Sequence, residues 1–230
     1  MTETAIEHQE NTMARIALFG ATGHIGSRIL REALSRGHEV VAVVRDPGKL
    51  ERTDQGTRLT VRTGDVLSPE SVAEAAGAAD VVVSAVGGGD GPGHLATIEP
   101  AAESLVAGLR TLGDRAPRLI AVGGAGSLRT PGGGQVWDAD GLPEGVLQIM
   151  HAHGDALEFY RGVEDIRWTN ISPAATIEPG IRTGTYRTAL DDLVVDDEGN
   201  SRISMEDYAV AVLDEVENPR HVRERFTVAD

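Results

Sequence analysis

A doubly wound α/β fold, with a mainly parallel sheet covered by helices on both faces, is predicted by three features of the 230-residue chain. Short β-branched runs alternate with longer helical patterns from about Met13 onward. The runs are near-continuous in Val, Ile and Leu, as in strands buried on both faces. Glycine-rich stretches repeatedly follow a strand, at the edge where open α/β sheets carry their ligand loops. The length, about one and a half times a ~150-residue domain, favours one sizeable domain over 13–230, with 1–12 read as a disordered extension.

The strands are predicted at Arg15 to Phe19, Glu39 to Val44, Arg58 to Arg62, Val81 to Ala85, Leu119 to Val122, Arg167 to Ile171 and Arg225 to Val228. Helical patterns fall at 25–36, 47–54, 69–76, 97–112, 143–161 and 205–217. Ser68 followed by Pro69 reads as an N-cap with proline at N1, and Gly37 and Gly113 stand where glycine ends helices. Ser204-Met205-Glu206-Asp207 resembles a capping box with Asp at N3. The stretches GGGDGPG at 87–93 and GGAGSLRTPGGG at 123–134 are too polar and permissive for core elements. LVVDDEGNSRIS at 193–204 reads as a hairpin turning at Glu198-Gly199-Asn200. Substrate-side loops at about 123–142 and 173–204 thus form a small C-terminal lobe.

Composition excludes several functions. Thirty-six acidic against twenty-one basic side chains give a net charge of −15, which opposes binding to nucleic acid or an anionic membrane. Zero cysteines exclude disulfides, thiolate metal sites and cysteine nucleophiles, and no usual histidine zinc set is present, so no metal is assigned. The polar, acidic start lacks signal-peptide character and no apolar run approaches a membrane span, giving a soluble, cytoplasmic reading. One basic residue, Lys49, is lysine.

RIALFGATGHIGSRIL sets Gly20, Gly23 and Gly26 between the first strand and the first helix. Glycines allow a tight turn and bring helix-terminal N–H groups against a pyrophosphate, with the helix dipole favouring the anion. A second strand ends about 20 residues later in VVAVVRDPGKL, where a dinucleotide binder contacts the adenosine ribose. Arg45 at that place favours the 2′-phosphate of NADP over NAD, although Asp46 meets a ribose hydroxyl if the strand ends later. Lys49 either assists or is a solvated helix residue. Asp65 and Val66 follow the third strand and can address the adenine, or Asp65 caps the next turn. Ala85, Val86 and Gly87 after the fourth strand are small, as a backbone packed against ribose or nicotinamide requires.

The motifs FGATGHIGSRIL, VVRDPGKL, GDVLSP, DVVVSAVG, LIAVGGAGSL, WTNISPAATIEPG and the closing ISMEDYAVAVLDEVENPRHVRERFTVAD follow in order from Arg15 to Asp230. In them the chain resembles an atypical short-chain dehydrogenase/reductase of the NAD(P)H-binding branch, with NmrA-like and biliverdin reductase B-like proteins, nearest the NADH-flavin reductase group. The resemblance implies a Rossmann-type sheet. It also implies dinucleotide contacts from Gly20, Thr22, Gly23, His24, Ile25, Gly26, Arg45, Asp65, Val66, Ala85 and Gly87, with Gly123 and Ser172-Pro173-Ala174 near the nicotinamide.

The superfamily's Tyr-x-x-x-Lys pair is absent: Tyr160, Tyr186 and Tyr208 are followed four residues later by Glu164, Leu190 and Val212. Where the pair falls in relatives, QIMHAHGDALEF offers Met150 and Gly154, with His151 and His153 beside them. One mechanism passes a hydride to a flavin, or a similar planar acceptor taken as substrate, which demands stacking more than a positioned acid. In another, His153 donates a proton while Ser127 polarises an acceptor oxygen; as ordinary residues, His153 packs or is solvated and Ser127 is a loop hydroxyl. Trp137 either covers a stacked ring or staples its loop to the core. The leading expectation is an NAD(P)H-dependent reductase of a small planar molecule. The alternatives are a non-enzymatic NmrA-like redox sensor, which alone implies a protein partner, and a carbonyl reductase or epimerase with a histidine acid.

Overall fold

The computed structural model describes residues 13–50, 56–87, 93 and 96–230. In chain order the elements are β1 (Arg15–Phe19), α1 (His24–Ser35), β2 (Glu39–Val44), β3 (Leu59–Thr63), α2 (Pro69–Ala76), β4 (Val81–Ser84), α3 (Ile98–Arg110), β5 (Arg118–Val122), β6 (Arg129–Thr130), β7 (Gly134–Gln135), α4 (Glu144–Arg161), β8 (Trp168–Ser172), β9 (Thr176–Glu178), β10 (Arg187–Ala189), β11 (Arg202–Ser204), α5 (Met205–Glu217) and β12 (Glu224–Ala229). Eight strands form one sheet in the order β10-β12-β8-β5-β4-β1-β2-β3. All neighbours are parallel except the edge pair of β10 with β12.

Alternation along the strands builds two cores. Ile16, Leu18, Val83 and Ile171 face α1 and α5, whereas Ala17, Phe19, Val82 and Leu119 face α2, α3 and α4. β1 and β4 therefore carry apolar side chains on both faces, as the unbroken Val, Ile and Leu runs require.

The local punctuation works as its chemistry dictates. The Ser68 side chain accepts from the Ser71 N–H, with Pro69 at N1 of α2. Gly37 closes α1 at φ +89°: its N–H bonds Leu34 O and the His38 N–H bonds Ala33 O, satisfying two end carbonyls. Ser204 caps α5 by accepting from the Asp207 N–H. The return half of the expected capping box is not made. The Asp207 carboxylate instead accepts from the Thr183 and Gly184 N–H groups and the Thr183 hydroxyl, tying the 173–204 segment to α5.

Other expectations are corrected. The helix expected over 47–54 is a 3-10 turn at Pro47–Lys49, where the Asp46 side chain accepts from Gly48 N and Leu50 is already extended; 51–55 lie outside the described residues. So do 1–12 and most of the 87–93 stretch. The turn at Glu198-Gly199-Asn200 is present, closed by Asp196 N–H to Asn200 O at 2.8 Å, but its arms do not pair. The arm before it bonds Arg129, through Leu193 N–H to Arg129 O, and β11 runs parallel to β9, so both arms spend their backbone groups elsewhere. The 123–134 loop, read as too polar for the core, buries Ala125 and Leu128 and carries the short β6-β7 pair. Among the described residues no helix is long and apolar enough to cross a membrane.

Candidate functional site

The connection order reverses between β1 and β4: β2 and β3 extend the sheet to one side, β5, β8 and β12 to the other. The crevice beyond the carboxyl ends of β1 and β4 is where open α/β sheets seat ligands. Gly20 lies there, at φ +83°, and a Cβ on it would stand 2.4 Å from Ala85 O. A Cβ on Gly26 would stand 2.0 Å from Gly20 O, so glycine is what lets α1 begin directly against the loop. Gly23 is the N-cap with extended backbone; no side chain caps α1 and its first turn holds no acid. The N–H groups and positive dipole end of α1 therefore face the crevice without a competing carboxylate. The cradle fits a pyrophosphate, which needs close backbone approach.

Thr22, Gly23 and His24 are exposed at the mouth, Ile25 is half-buried and Gly26 buried. A cleft of about 380 Å³ opens beside them, lined by Ala21, Thr22, Ser27, Leu30, Arg31, Lys49 and Leu50. β2 ends at Val44, so Arg45 is the first residue beyond the strand and is exposed. Asp46 Oδ1 accepts from Gly48 N at 2.9 Å, which engages the carboxylate that competes with Arg45 for the ribose position. Lys49, held by that turn, lines the cleft together with Thr22.

Asp65 Oδ1 accepts from the Leu67 N–H at 3.0 Å, so the carboxylate does cap the following turn, while Val66 is buried against the α2-α3 core. Ala85 and Val86 turn to opposite faces of the sheet and Gly87 is exposed. Gly123 is buried, its N–H on Ile171 O at 2.8 Å, and a Cβ there would meet Asn170 Oδ1 at 2.3 Å. Ser172, Pro173 and Ala174 are all buried at the end of β8.

Ser127 is joined to Ser172 by a residue the sequence reading passed over. Arg225, on β12 and 4% exposed, donates from Nη1 to Ser127 Oγ at 3.2 Å and toward Ser172 Oγ at 3.5 Å. Its Nε donates to Asp191 Oδ1 at 2.8 Å. Burial pushes the guanidinium pKa down while Asp191 opposes the shift. Burial also pushes the Asp191 carboxyl up, but the Arg225 hydrogen bond and the charges of Arg225, Arg161 and Arg129 hold it below its ordinary value. One arginine in the apolar run RFTV was the legible signal, since a buried cation must be paired.

On α4, His151 and His153 point apart. His151 is exposed and stacks on Trp137, ring centroids 4.7 Å apart. The indole N–H donates to Gln135 Oε1, and Cβ atoms on Gly154 and Gly126 would lie 2.7 and 2.8 Å from the indole ring. Trp137 is thus a staple between the 123–142 loop and α4, seated against Gly154. His153 is half-buried, beside Gly124, and with Tyr160 lines a second pocket of about 290 Å³ at the ends of β4, β5 and β8. Among the described residues His153 lines this pocket, whereas Ser127 is held by Arg225 and is not in its lining. Among the described residues no group of three His, Cys, Asp or Glu is placed to hold a metal ion.

A family described as NAD(P)H-binding matches residues 20–219, and the chain belongs to it. A nicotinamide dinucleotide is the cofactor class of the family. The Bacillus subtilis (strain 168) protein YwnB is 39% identical over 220 residues, 93% of this chain and 97% of that protein. A Bacteroides thetaiotaomicron structure, provisionally described as an epimerase, is 42% identical with TM-score 0.84, covering 95% of this chain and 97% of the other. A Streptococcus pneumoniae structure, provisionally described as an NADH-flavin reductase, is 30% identical with TM-score 0.81, covering 94% and 99%.

Proposed function

We propose that the protein is an NADPH-dependent reductase that passes a hydride to a flavin or similar planar acceptor. The observation that carries this reading is the fate of the proton-transfer pair. The helix position that holds the lysine in the superfamily is Gly154, covered by the Trp137 ring, so the chain keeps the dinucleotide cradle while its α4 has lost carbonyl chemistry's usual acid. Hydride transfer between stacked rings depends on alignment more than on such an acid.

A bound reduced nicotinamide supplies the hydride. The Gly20–Gly26 loop and the N-terminus of α1 hold the pyrophosphate, and Arg45, with Lys49 at the cleft, takes the 2′-phosphate; Asp46, engaged by Gly48, leaves that choice to the cations. The small Ala85-Val86-Gly87 backbone admits the ring. Arg225 donates to Ser127 Oγ, which turns the hydroxyl proton outward toward the acceptor and places a positive charge behind it, opposing the negative charge that develops on reduction. His153, beside Gly124 at the pocket by the ends of β4, β5 and β8, is the proton donor.

Steady-state oxidation of NADPH and NADH with FMN, riboflavin, quinones and a panel of carbonyl compounds tests the reading. Turnover with a planar acceptor, faster with NADPH, is expected. Turnover with carbonyl compounds alone overturns it in favour of a carbonyl reductase or epimerase. Tight binding with no turnover, and a large difference in affinity between NADPH and NADP⁺, overturns it in favour of a redox sensor acting on a protein partner.

A further inference from the structure

We propose that the pocket bounded by Ser84, Asn170, Tyr160 and His153 holds ordered water that relays protons to His153 during turnover. The inference rests on the reductase reading above. The pocket lies where the ends of β4, β5 and β8 meet α3 and α4; its hollow of about 290 Å³ is open to solvent, and the part closed in by the walls has room for about one water. His153, Ala156 and Tyr160 reach it from one face of α4, at the i, i+3, i+7 spacing of a helix. Ile98, Ala101 and Ala102 of α3 close the apolar side.

Three polar side chains open onto it from deep in the protein: Ser84 is 6% exposed and Asn170 and Tyr160 are each 3% exposed. Among the described residues the Ser84 hydroxyl, the Asn170 amide and the Tyr160 hydroxyl make no hydrogen bond to protein. Nor are they sealed off, since the fully enclosed and unpartnered side-chain atoms are Ser104 Oγ and Thr227 Oγ1. Buried polar groups left without a partner are costly and rare, so these three select an occupant that donates and accepts. Among the described residues no carboxylate, lysine or arginine lines the walls. The part closed in by the walls does not admit a three-ring acceptor. About one water, held by two to four polar partners, fits both size and chemistry.

Among the described residues the groups that titrate in the lining are His153 and Tyr160, both from α4. Burial drives the Tyr160 phenol well above its ordinary pKa, so it stays protonated and serves as a donor that orients water. Hydride transfer to the acceptor ring delivers two electrons, and charge balance requires one proton. The N–H bond of protonated His153 breaks and its proton goes to the ring. The neutral imidazole then takes a proton from the adjoining water, and bulk solvent replaces that proton at the open mouth of the pocket. One proton is consumed for each reduced dinucleotide oxidised. Ser84, Asn170 and Tyr160 are positioning residues, since they act on His153 only through water.

The test has two readouts. A high-resolution crystal structure of the wild-type protein with NADP⁺ should show ordered water on Ser84 Oγ, the Asn170 amide and the Tyr160 hydroxyl; a dry pocket overturns the relay whatever the activity. In single-turnover reduction of FMN, Tyr160→Phe and Asn170→Leu should each slow the rate about tenfold, a fraction of the 10²–10⁴ that a general acid provides. Dinucleotide affinity should not change, and Asn170→Ser should restore the rate to within about twofold. Tyr160→Phe keeps the ring that stacks on Trp168, so its fold is preserved. Wild-type rates and pH profiles in both slow variants overturn the relay alone. Failure of the wild-type protein to reduce any planar acceptor overturns the reductase reading, and the relay with it.

Discussion

Gly26→Ala sets two effects against each other, and the structure decides which wins. Gly26 is the third residue of α1, and alanine in a helix is favoured over glycine by about 1 kcal/mol. Its Cβ, however, would stand 2.0 Å from Gly20 O and 2.7 Å from Gly20 C. Both are backbone atoms of a loop pinned against Ala85, with no flexible side chain to yield. Reaching ordinary contact at 3.4 Å requires a relative shift of about 1.4 Å. Overpacking of this kind costs about 1–3 kcal/mol, so the net change is destabilising by about 1 kcal/mol. The same shift lengthens an N–H···O bond to a phosphate from about 2.9 Å to beyond 4 Å, which abolishes it. Losing one or two such charge-assisted bonds, at about 1.5–3 kcal/mol each, weakens dinucleotide binding by about 100-fold. Urea unfolding without ligand and calorimetric titration with NADPH measure the two effects. A variant that gains stability and keeps its affinity refutes the assignment of this loop as the cradle.

Four further outcomes follow from the site. Arg45→Ser should weaken NADPH binding by about ten- to a hundredfold through loss of a charge-assisted contact, leaving NADH unchanged in the same titration; equal losses would contradict the 2′-phosphate assignment. Arg225→Lys should lower kcat by more than about tenfold, since the shorter side chain cannot reach Ser127 and Asp191 together; its dinucleotide affinity should stay intact, and an unchanged kcat removes Arg225 and Ser127 from the acceptor side. Trp137→Ala should cost about 2 kcal/mol in urea unfolding, below the usual loss for a fully buried ring because the indole is half-buried; a change within 0.5 kcal/mol, the range of an ordinary surface substitution, means that the loop is held otherwise. Glu32 is held below its ordinary pKa of 4.5 chiefly by the Arg182 hydrogen bond. Its contribution to stability is present above pH 4.5 and lost as pH falls through the lower folded value, so Glu32→Gln should flatten the acid limb of the stability profile.

The sheet was legible because its cause is local and repeated. Glu39 to Val44 is predicted and observed with the same ends, since the five apolar residues after Glu39 end at Arg45 and an Asp that caps the next turn. The 193–204 segment was not legible as built. Its turn chemistry is local, but the partners of its arms, Arg129 and β9, lie about 65 and 25 residues away, and no pattern within the segment encodes them. The glycine loop could be read because close backbone approach demands a residue type. The Arg225 contact to Ser127 could not, because it joins residues 98 apart in sequence and a lone arginine in a strand does not announce its acceptor. Tyr160 and Asn170 were hidden for the opposite reason: each looks like an ordinary core or strand residue until the pocket that leaves its polar atoms unpartnered is seen.

The most direct measurement of the central claim is anaerobic single-turnover mixing of the NADPH-loaded protein with FMN, using NADPH with hydrogen or deuterium at the transferring C4 position. The account predicts that dinucleotide oxidation and flavin reduction proceed with one rate constant, slowed by deuterium. Bound NADPH that persists unoxidised in the presence of FMN, riboflavin and quinones would contradict it.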